Sequence, residues 1–309
     1  MKLAGILLCS TVLMAVDGNR EIVYEGTVSA SHEPLPTFDK GYLLFLKIPP
    51  ANCRITVYDP QGKLTFDGPI PNPKSDQCSP SSPAADRDGT LAVPISYSFG
   101  AGYAHGIVVM DHFGKMLRFI DTGRFVVMDV CFDREHTIWS IGWQRDAIRN
   151  PYADENDYGL VRRFSLDGKP LGEFIPRSLW TGRQPKTWGL GLWSMAAAGD
   201  KVGALVAKHE YGSQNEWIEW NLKGELLTRT VIDQRPMGGM AFTESGRLYA
   251  QLEKQDHIEL AWLDTKTGQW NPVPGATPER RLLMAAQGNE LVFKASGSGA
   301  MRMIWFRPE

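Results

Sequence analysis

One hydrophobic and polar pattern recurs along most of the chain. An apolar run, a short polar corner that contains glycine and a second apolar run follow one another in GIVVMDHFGKMLRFID, residues 106–121. Apolar and aromatic alternation on both sides of an Asp, Asn or Gly corner is typical of a β-hairpin. The pattern returns at residues 54–66, 159–174, 216–231 and 258–273. These segments are therefore predicted to be hairpins of a repeated all-β unit.

The corners of these hairpins are regularly spaced. Their glycines are Gly62, Gly114, Gly168, Gly224 and Gly268. The separations of 52, 54, 56 and 44 residues give a period that belongs to radial all-β repeats. A second, weaker series of corners alternates with the first, at residues 88–89, 135–136, 199–200, 245–246 and 288–289. Each repeat then reads as four antiparallel strands, which is the content of one propeller blade.

The ends of the chain complete the count. Six such units can be marked out, but the sixth is incomplete. After a strand at residues 290–295 the sequence has one more strand, at residues 301–306, and it stops where the next corner would fall. A strand at residues 21–28 has no partner beside it in the sequence. We expect this strand to supply the missing outer strand of the sixth blade, because pairing the two ends closes the ring and removes exposed edges.

Two segments carry a family resemblance. AADRDGTLAVP at residues 84–94 and AFTESGRLYAQL at residues 241–252 resemble the six-bladed β-propellers of the NHL-repeat type. The resemblance covers nearly the whole mature chain, and its turn and core residues specify fold better than function. One corner departs from the pattern, because Glu135-His136 stands where glycine is usual. That corner is predicted to be wider than the others.

The first residues differ in character from the rest. Lys2 is followed by fourteen uncharged residues and then by small side chains near residues 16–18. This is typical of a secretory signal peptide over residues 1–18, and the apolar run is too short to span a bilayer. An N-terminal buried strand or a retained anchor is the alternative. The favoured interpretation is a secreted or periplasmic protein with a single propeller domain at residues 19–309.

Composition and charge narrow the function classes. The chain has 33 basic and 35 acidic residues, which gives no electrostatic case for nucleic acid or an anionic membrane surface. No nucleotide-binding loop, G-x-S-x-G, H-E-x-x-H or C-x-x-C motif occurs. We expect a monomer without a cofactor or a membrane span, whose partner is a small molecule, a glycan or a protein.

The two faces of the predicted disc differ in their sequence. The glycine corners lie on one face, here called the corner face, and they are short and regular. The middle loops and the links between blades lie on the other, here called the loop face, and contain the irregular segments 96–105, 144–158 and 176–193. Because binding residues concentrate on loops held by a rigid scaffold, the loop face of blades two to four is the predicted binding surface.

Aromatic and basic side chains are frequent in and near those segments. The candidate ligand-binding residues are Tyr103, His105, Arg145, Trp180, Arg183, Trp188, His209, Tyr211 and Arg235. Aromatic rings of this kind stack on sugars or peptides, and arginines hold carboxylates or phosphates. The alternative interpretation is that each aromatic side chain covers an end of the core and each arginine is a solvent-exposed loop residue.

An enzyme is the alternative function. The resemblance implies it, since lactonase and lyase members of the six-bladed class keep metal ligands, or paired His and Glu, on the innermost strands, where they point into the central channel. Aligning the corners places Ser82, Asp129, Trp193, Gly239 and Leu282 at similar depth there. Asp129 alone is ionisable, so the alternative is a hydrolase, lactonase or lyase that uses Asp129 with a bound cation. Otherwise Asp129 is expected to accept hydrogen bonds from strand amides, as buried carboxylates must.

Two further predictions concern cations and cysteines. Asp154 and Asp157 offer the oxygen ligands that Ca²⁺ prefers, but their spacing fits no complete Ca²⁺ loop, and a solvated acidic loop is the alternative. Cys53 in the middle loop of blade one and Cys78 in the link to blade two fall on the same face of adjacent blades. An export route permits a Cys53–Cys78 disulfide, and Cys131 is predicted to be a buried core thiol.

Overall fold

The computed structural model describes most of the region from residue 20 to residue 308. The described residues are 20–24, 36–47, 53–74, 78–99, 102–144, 158–176, 194–207, 215–234, 236, 239–274, 281–295 and 301–308. They form strands and connecting turns, and none of them belongs to a helix of the length and apolarity that crossing a membrane requires.

The first half of the described chain contributes three sheets and one separate strand. The separate strand is β1 (Glu21–Tyr24). Blade one consists of β2 (Thr37–Asp39), β3 (Tyr42–Lys47), β4 (Arg54–Tyr58) and β5 (Leu64–Pro69). Blade two consists of β6 (Cys78–Pro80), β7 (Ala84–Ala85), β8 (Thr90–Phe99), β9 (Gly102–Asp111) and β10 (Met116–Gly123). Blade three consists of β11 (Phe125–Phe132), β12 (Ile138–Gln144), β13 (Gly159–Phe164) and β14 (Pro170–Pro176).

The second half contributes the other three sheets. Blade four consists of β15 (Ser194–Ala198), β16 (Lys201–Ala207), β17 (Asn215–Asn221) and β18 (Leu226–Ile232). Blade five consists of β19 (Met240–Phe242), β20 (Leu248–Glu253), β21 (Ile258–Asp264) and β22 (Gln269–Pro272). Blade six contains β23 (Arg281–Gln287), β24 (Glu290–Ala295) and β25 (Met301–Phe306). Each blade is an antiparallel meander, and in blade two β6 and β7 are the two parts of one split inner strand.

Blade six is closed by the first strand of the chain. β1 pairs antiparallel with β25, with Ile22 opposite Met303 and Tyr24 opposite Met301. All four side chains are buried, and they pack in one cluster with Phe38 of blade one. The predicted closure is confirmed, and the seam between the sixth blade and the first contains side chains from both ends of the described chain.

The corners are held by their own residues. In the β9–β10 corner, one carboxylate oxygen of Asp111 accepts the amide N–H groups of Phe113 and Lys115 at 3.0 and 2.9 Å. Such local side-chain bonds favour a turn over a continued strand. Gly114 has φ of 90°, and a Cβ there would lie 2.1 Å from the Phe66 ring of blade one. Only glycine meets both requirements. The same bonding recurs in the corners that begin at Asp59, Asp133 and Asn221.

The corner of blade three is not wider than the others, so that prediction was wrong. His136 donates its N–H to the Asp133 carbonyl, just as Gly89 donates to Asp86 in blade two. His136 takes the left-handed conformation itself, with φ of 61°. That conformation costs a residue with a side chain roughly 1–2 kcal/mol. The ring of His136 compensates for part of this cost by binding the Asp86 carboxylate of the neighbouring blade at 2.5 Å.

Two predictions about cysteine are confirmed. Cys53 and Cys78 form a disulfide, with their Cα atoms 5.9 Å apart. Cys53 directly precedes β4 and Cys78 begins β6, so the bond joins blades one and two on the loop face. The free thiol of Cys131 lies in β11 and is buried. Burial raises the pKa of this thiol well above its usual value, which keeps it in the unreactive protonated form.

Candidate functional site

A central channel runs along the axis of the ring. Its loop-face half is a cavity of about 220 Å³ lined by the inner strands of all six blades. Four of the five residues that the corner alignment placed at this depth line the cavity: Ser82, Asp129, Gly239 and Leu282. The fifth, Trp193, lies outside the described residues. Most of the other lining residues have apolar side chains, and the ionisable ones among them are few.

Asp129 is held by backbone amides on two blades. A β-bulge between Val127 and Asp129 interrupts the register of β11 directly before this residue. One carboxylate oxygen accepts the N–H of Val130 at 2.9 Å and the other accepts the N–H of Met195 at 2.8 Å. These bonds confirm the expected role as an acceptor of strand amides. Burial nevertheless raises the pKa of Asp129 to about 7, because desolvation outweighs the bonds that favour the carboxylate.

A second carboxylate that lines the channel, the partly buried Asp39, was missed in the sequence. Asp39 ends β2, and its Oδ2 accepts the N–H of Ala85 in blade two at 3.1 Å. Burial raises the pKa of Asp39, against the lowering effect of the adjacent Lys40. The conclusion that Asp129 is the one ionisable group of the channel is therefore corrected. The residues FDKG at positions 38–41 carried the signal, because they match the strand ends before the corners of blades two and three.

Both carboxylates join neighbouring blades. Asp39 bonds from blade one to blade two, and Asp129 bonds from blade three to blade four. A neutral counterpart, Gln251, accepts the N–H of Leu283 at 2.9 Å and joins blade five to blade six. Three alternate seams of the ring are thus bridged by an acceptor side chain and an amide of the next blade. Asp129 can exchange a proton near neutral pH, but both of its carboxylate oxygens already accept backbone N–H groups, one of them from the neighbouring blade.

Two contacts cross the ring at the corner-face end of the channel. Lys40 of blade one donates from Nζ to the Ala197 carbonyl of blade four at 3.4 Å. Arg87 of blade two forms an ion pair with Glu244 of blade five, with Nη2 and Oε1 2.9 Å apart. In a ring of six blades these partners lie opposite one another. The described side chains therefore reach across the channel on the corner face.

On the loop face, blade two carries a projecting hairpin. β8 and β9 contain ten residues each, whereas the two middle strands of the other blades contain five to seven. Both strands meet the corner face at the same level as their counterparts, so the extra residues stand on the loop face. At about 3.4 Å per residue, the three to five extra residues raise the tip by roughly 10–17 Å.

The projecting hairpin is braced from below. β6 pairs with β8 and places Cys78 opposite Tyr97, so the disulfide to Cys53 anchors the strand beside the hairpin. Tyr97 is buried. On the facing strands, Ser96 and His105 form a hydrogen bond of 2.8 Å between Oγ and Nδ1.

The structure separates two of the predicted ligand-binding residues. Tyr103 is 59% exposed on β9, whereas His105 on the same strand is 2% exposed. His105 therefore supports the hairpin from within and does not reach its surface. The other predicted contact residues lie outside the described residues: Arg145, Trp180, Arg183, Trp188, His209, Tyr211 and Arg235.

Potential metal ligands occur at the seam between blades two and three. Of the described residues, the group of three whose ligand atoms all lie within 4.8 Å of one another is Asp86, Asp88 and His136. The hydrogen bond to Asp86 raises the pKa of His136 and accounts for their proximity without an ion. This group lies on the corner face, away from Asp129. Asp154 and Asp157 lie outside the described residues.

Comparison with known proteins supports the fold but identifies no family. No family model matches the chain, and no curated protein matches it. A gluconolactonase from Xanthomonas campestris is similar in structure, with 14% identity, a TM-score of 0.50 and coverage of 96% of this chain and 95% of that one. The β-propeller domain of the Trilobed protease from Pyrococcus furiosus has 13% identity, a TM-score of 0.50 and coverage of 93% and 84%. The fold is a six-bladed β-propeller. At these identities the similarity shows the fold alone.

Proposed function

We propose that this protein is a binding module that holds its ligand on the loop face of blades two to four. The projecting β8–β9 hairpin carries the proposal, because it raises the exposed Tyr103 above a braced base. A rigid scaffold with an aromatic side chain at its rim suits stacking on a sugar ring or a peptide. Arg145, Trp180, Arg183, Trp188, His209, Tyr211 and Arg235 are the proposed remaining contacts. The ligand class is a small molecule, a glycan or a protein.

The proposal includes export. Residues 1–18 are proposed to be a signal peptide and residues 19–309 a monomeric propeller of the NHL-repeat-like type. The Cys53–Cys78 disulfide supports a secreted or periplasmic location, since such bonds persist in oxidising compartments. The near balance of charge supports a partner other than nucleic acid or an anionic membrane surface.

The test compares two exposed aromatic residues of one blade. Purified residues 19–309 are screened against an oligosaccharide array and a peptide array, and Tyr103→Ala is measured on the ligands that bind. We expect Tyr103→Ala to weaken binding about tenfold or more. The matched control is Phe113→Ala, since Phe113 is 64% exposed in blade two but lies on the corner face. Equal losses for the two variants, or no binding to either array, would overturn the proposal.

A hydrolase, lactonase or lyase at the channel is the second candidate. The pKa of Asp129, raised to about 7, favours it, because a carboxylate with such a pKa can act as general base near neutral pH. Gluconolactonase is the activity of a similarly folded protein. Lactone hydrolysis by the wild type and by Asp129→Asn, together with elemental analysis, tests this candidate. A bound stoichiometric metal and a rate at least about a hundredfold lower in Asp129→Asn would support it. Equal rates would exclude Asp129.

A further inference from the structure

The corner-face end of the channel is a charged pocket. It encloses about 270 Å³, and its basic lining residues are Lys40, Arg87 and Arg134, from blades one, two and three. Its acidic lining residues are Asp133 and Glu244. The balance of charge in the pocket depends on which of these groups are already neutralised by partners outside it.

Asp133 is fully committed elsewhere. Its side chain is 0% exposed and forms an ion pair of 3.0 Å with Arg163, which lies outside the pocket lining. The same Oδ2 accepts the indole N–H of Trp139 at 2.8 Å and the hydroxyl of Thr137. A buried carboxylate with this many donors gains little from another cation. Asp133 therefore adds no free negative charge to the pocket.

The basic groups are less well compensated. Arg134 is exposed and forms neither a hydrogen bond nor an ion pair with the described part of the chain. Lys40 lies beside the partly buried Asp39, and its Nζ donates to the Ala197 carbonyl of the opposite blade at 3.4 Å. Arg87 is paired with Glu244, and both side chains of that pair are about half exposed or more, at 61% and 48%. The pocket thus holds three cations against Glu244 and the neighbouring Asp39.

We propose that this pocket binds a small dianion, a phosphate or a dicarboxylate, between Arg87 and Arg134. The Glu244 carboxylate holds the position proposed for the ligand, because it reaches across from the opposite blade to Arg87. Guanidinium groups bind carboxylate and phosphate oxygens in a two-pronged geometry, and the ammonium of Lys40 supplies a further donor from beneath. An incoming dianion displaces Glu244, whose exposed side chain is free to turn toward solvent. The site lies on the face opposite the proposed ligand surface and does not depend on it.

The experiment uses substitutions that should change the affinity for the dianion in opposite directions. Inorganic phosphate and succinate are titrated separately into residues 19–309 by calorimetry, at constant ionic strength. Glu244→Gln removes the internal competitor and keeps its size, so binding should tighten about tenfold. Arg87→Gln and Arg134→Gln each remove a charged donor, so binding should weaken about tenfold. Arg118→Gln changes an exposed arginine on β10, outside the pocket lining, and should have no effect.

Each outcome decides the proposal. Saturable binding of phosphate, of succinate or of both supports it and identifies the ligand chemistry, provided that the two signs are observed. It is overturned if neither probe binds, if Glu244→Gln weakens binding, or if Arg118→Gln weakens it as much as Arg134→Gln. Because Arg87, Arg134 and Glu244 are exposed, circular dichroism should show all variants folded.

Discussion

The corner face and the loop face are made by the same strands but are held in different ways. On the corner face, four of the turns bond their own backbone amides through an Asp or Asn side chain, as Asp111 does for Phe113 and Lys115. On the loop face, the projecting hairpin depends on β6 and on a disulfide to another blade. Because the turns are held locally, other side chains in the corners are available for contacts across the ring. Long-range bracing allows the loop face to vary in length without disturbing the core.

The largest expected effect is at the base of the corner face. Asp133→Ala leaves the buried Trp139 N–H and the Arg163 guanidinium without their shared acceptor. We expect a loss of about 4 kcal/mol in the free energy of unfolding, measured with urea. Glu135→Ala, which removes an exposed partner of Arg163, should cost less than about 1 kcal/mol. Similar losses in the two variants would contradict the assignment of Asp133 as the structural group.

The second prediction concerns the channel, where Asp129 should make the free energy of unfolding depend on pH. Asp129 has a folded pKa raised from 3.8 to about 7, so the folded protein binds a proton that the unfolded chain has released. Its contribution to stability is present below pH 4 and is lost as the pH rises to 7, by roughly 4 kcal/mol. Asp129→Asn should lack this fall. Asp39 titrates in the same direction in both proteins, so the difference between the two unfolding curves is the measurement. Parallel curves would refute the shift.

Removing the disulfide tests the bracing of the loop face. Cys53 and Cys78 are separated by 25 residues, and Cys53→Ala with Cys78→Ala should lower the unfolding free energy by about 3 kcal/mol. Amide exchange of Tyr97 should accelerate, while that of Lys115 in the corner should not. The unreduced, denatured wild-type domain should react as one thiol, that of Cys131. Three reactive thiols, or equal acceleration at both amides, would contradict the bracing.

The smallest expected effect is at the rim of the loop face. Tyr103→Ala should change the unfolding free energy by no more than about 0.5 kcal/mol, because the ring is exposed and forms no part of the core. Thermal unfolding is sufficient to measure it. A loss of more than about 1 kcal/mol would show that the ring stabilises the hairpin and would remove the basis for treating it as a ligand contact.

Features with a local or periodic cause could be predicted from the sequence. The blade count followed from the glycine corners, and the closure by Ile22 and Tyr24 followed from the outer strand that the sixth unit lacks. The disulfide followed from the placement of Cys53 and Cys78 on one face of adjacent blades. In each case the residues are linked by the repeat, so the period fixes their separation in space.

Features that depend on distant side chains could not be predicted. Arg87 and Glu244 are 157 residues apart, and each reads as an ordinary charged corner residue. Asp39 was missed because β2 has only three residues and gives no alternation to mark it as a strand. His136 was expected to widen its corner because it stands where glycine is usual. The carboxylate that binds its ring, that of Asp86, belongs to another blade and could not be identified from the sequence.

The pairing of β1 with β25 has a consequence for biosynthesis. While the chain is being made, β1 has no strand to pair with until β25 has also been made, so the ring stays open until the synthesis of β25. An open ring exposes sheet edges and half of a seam.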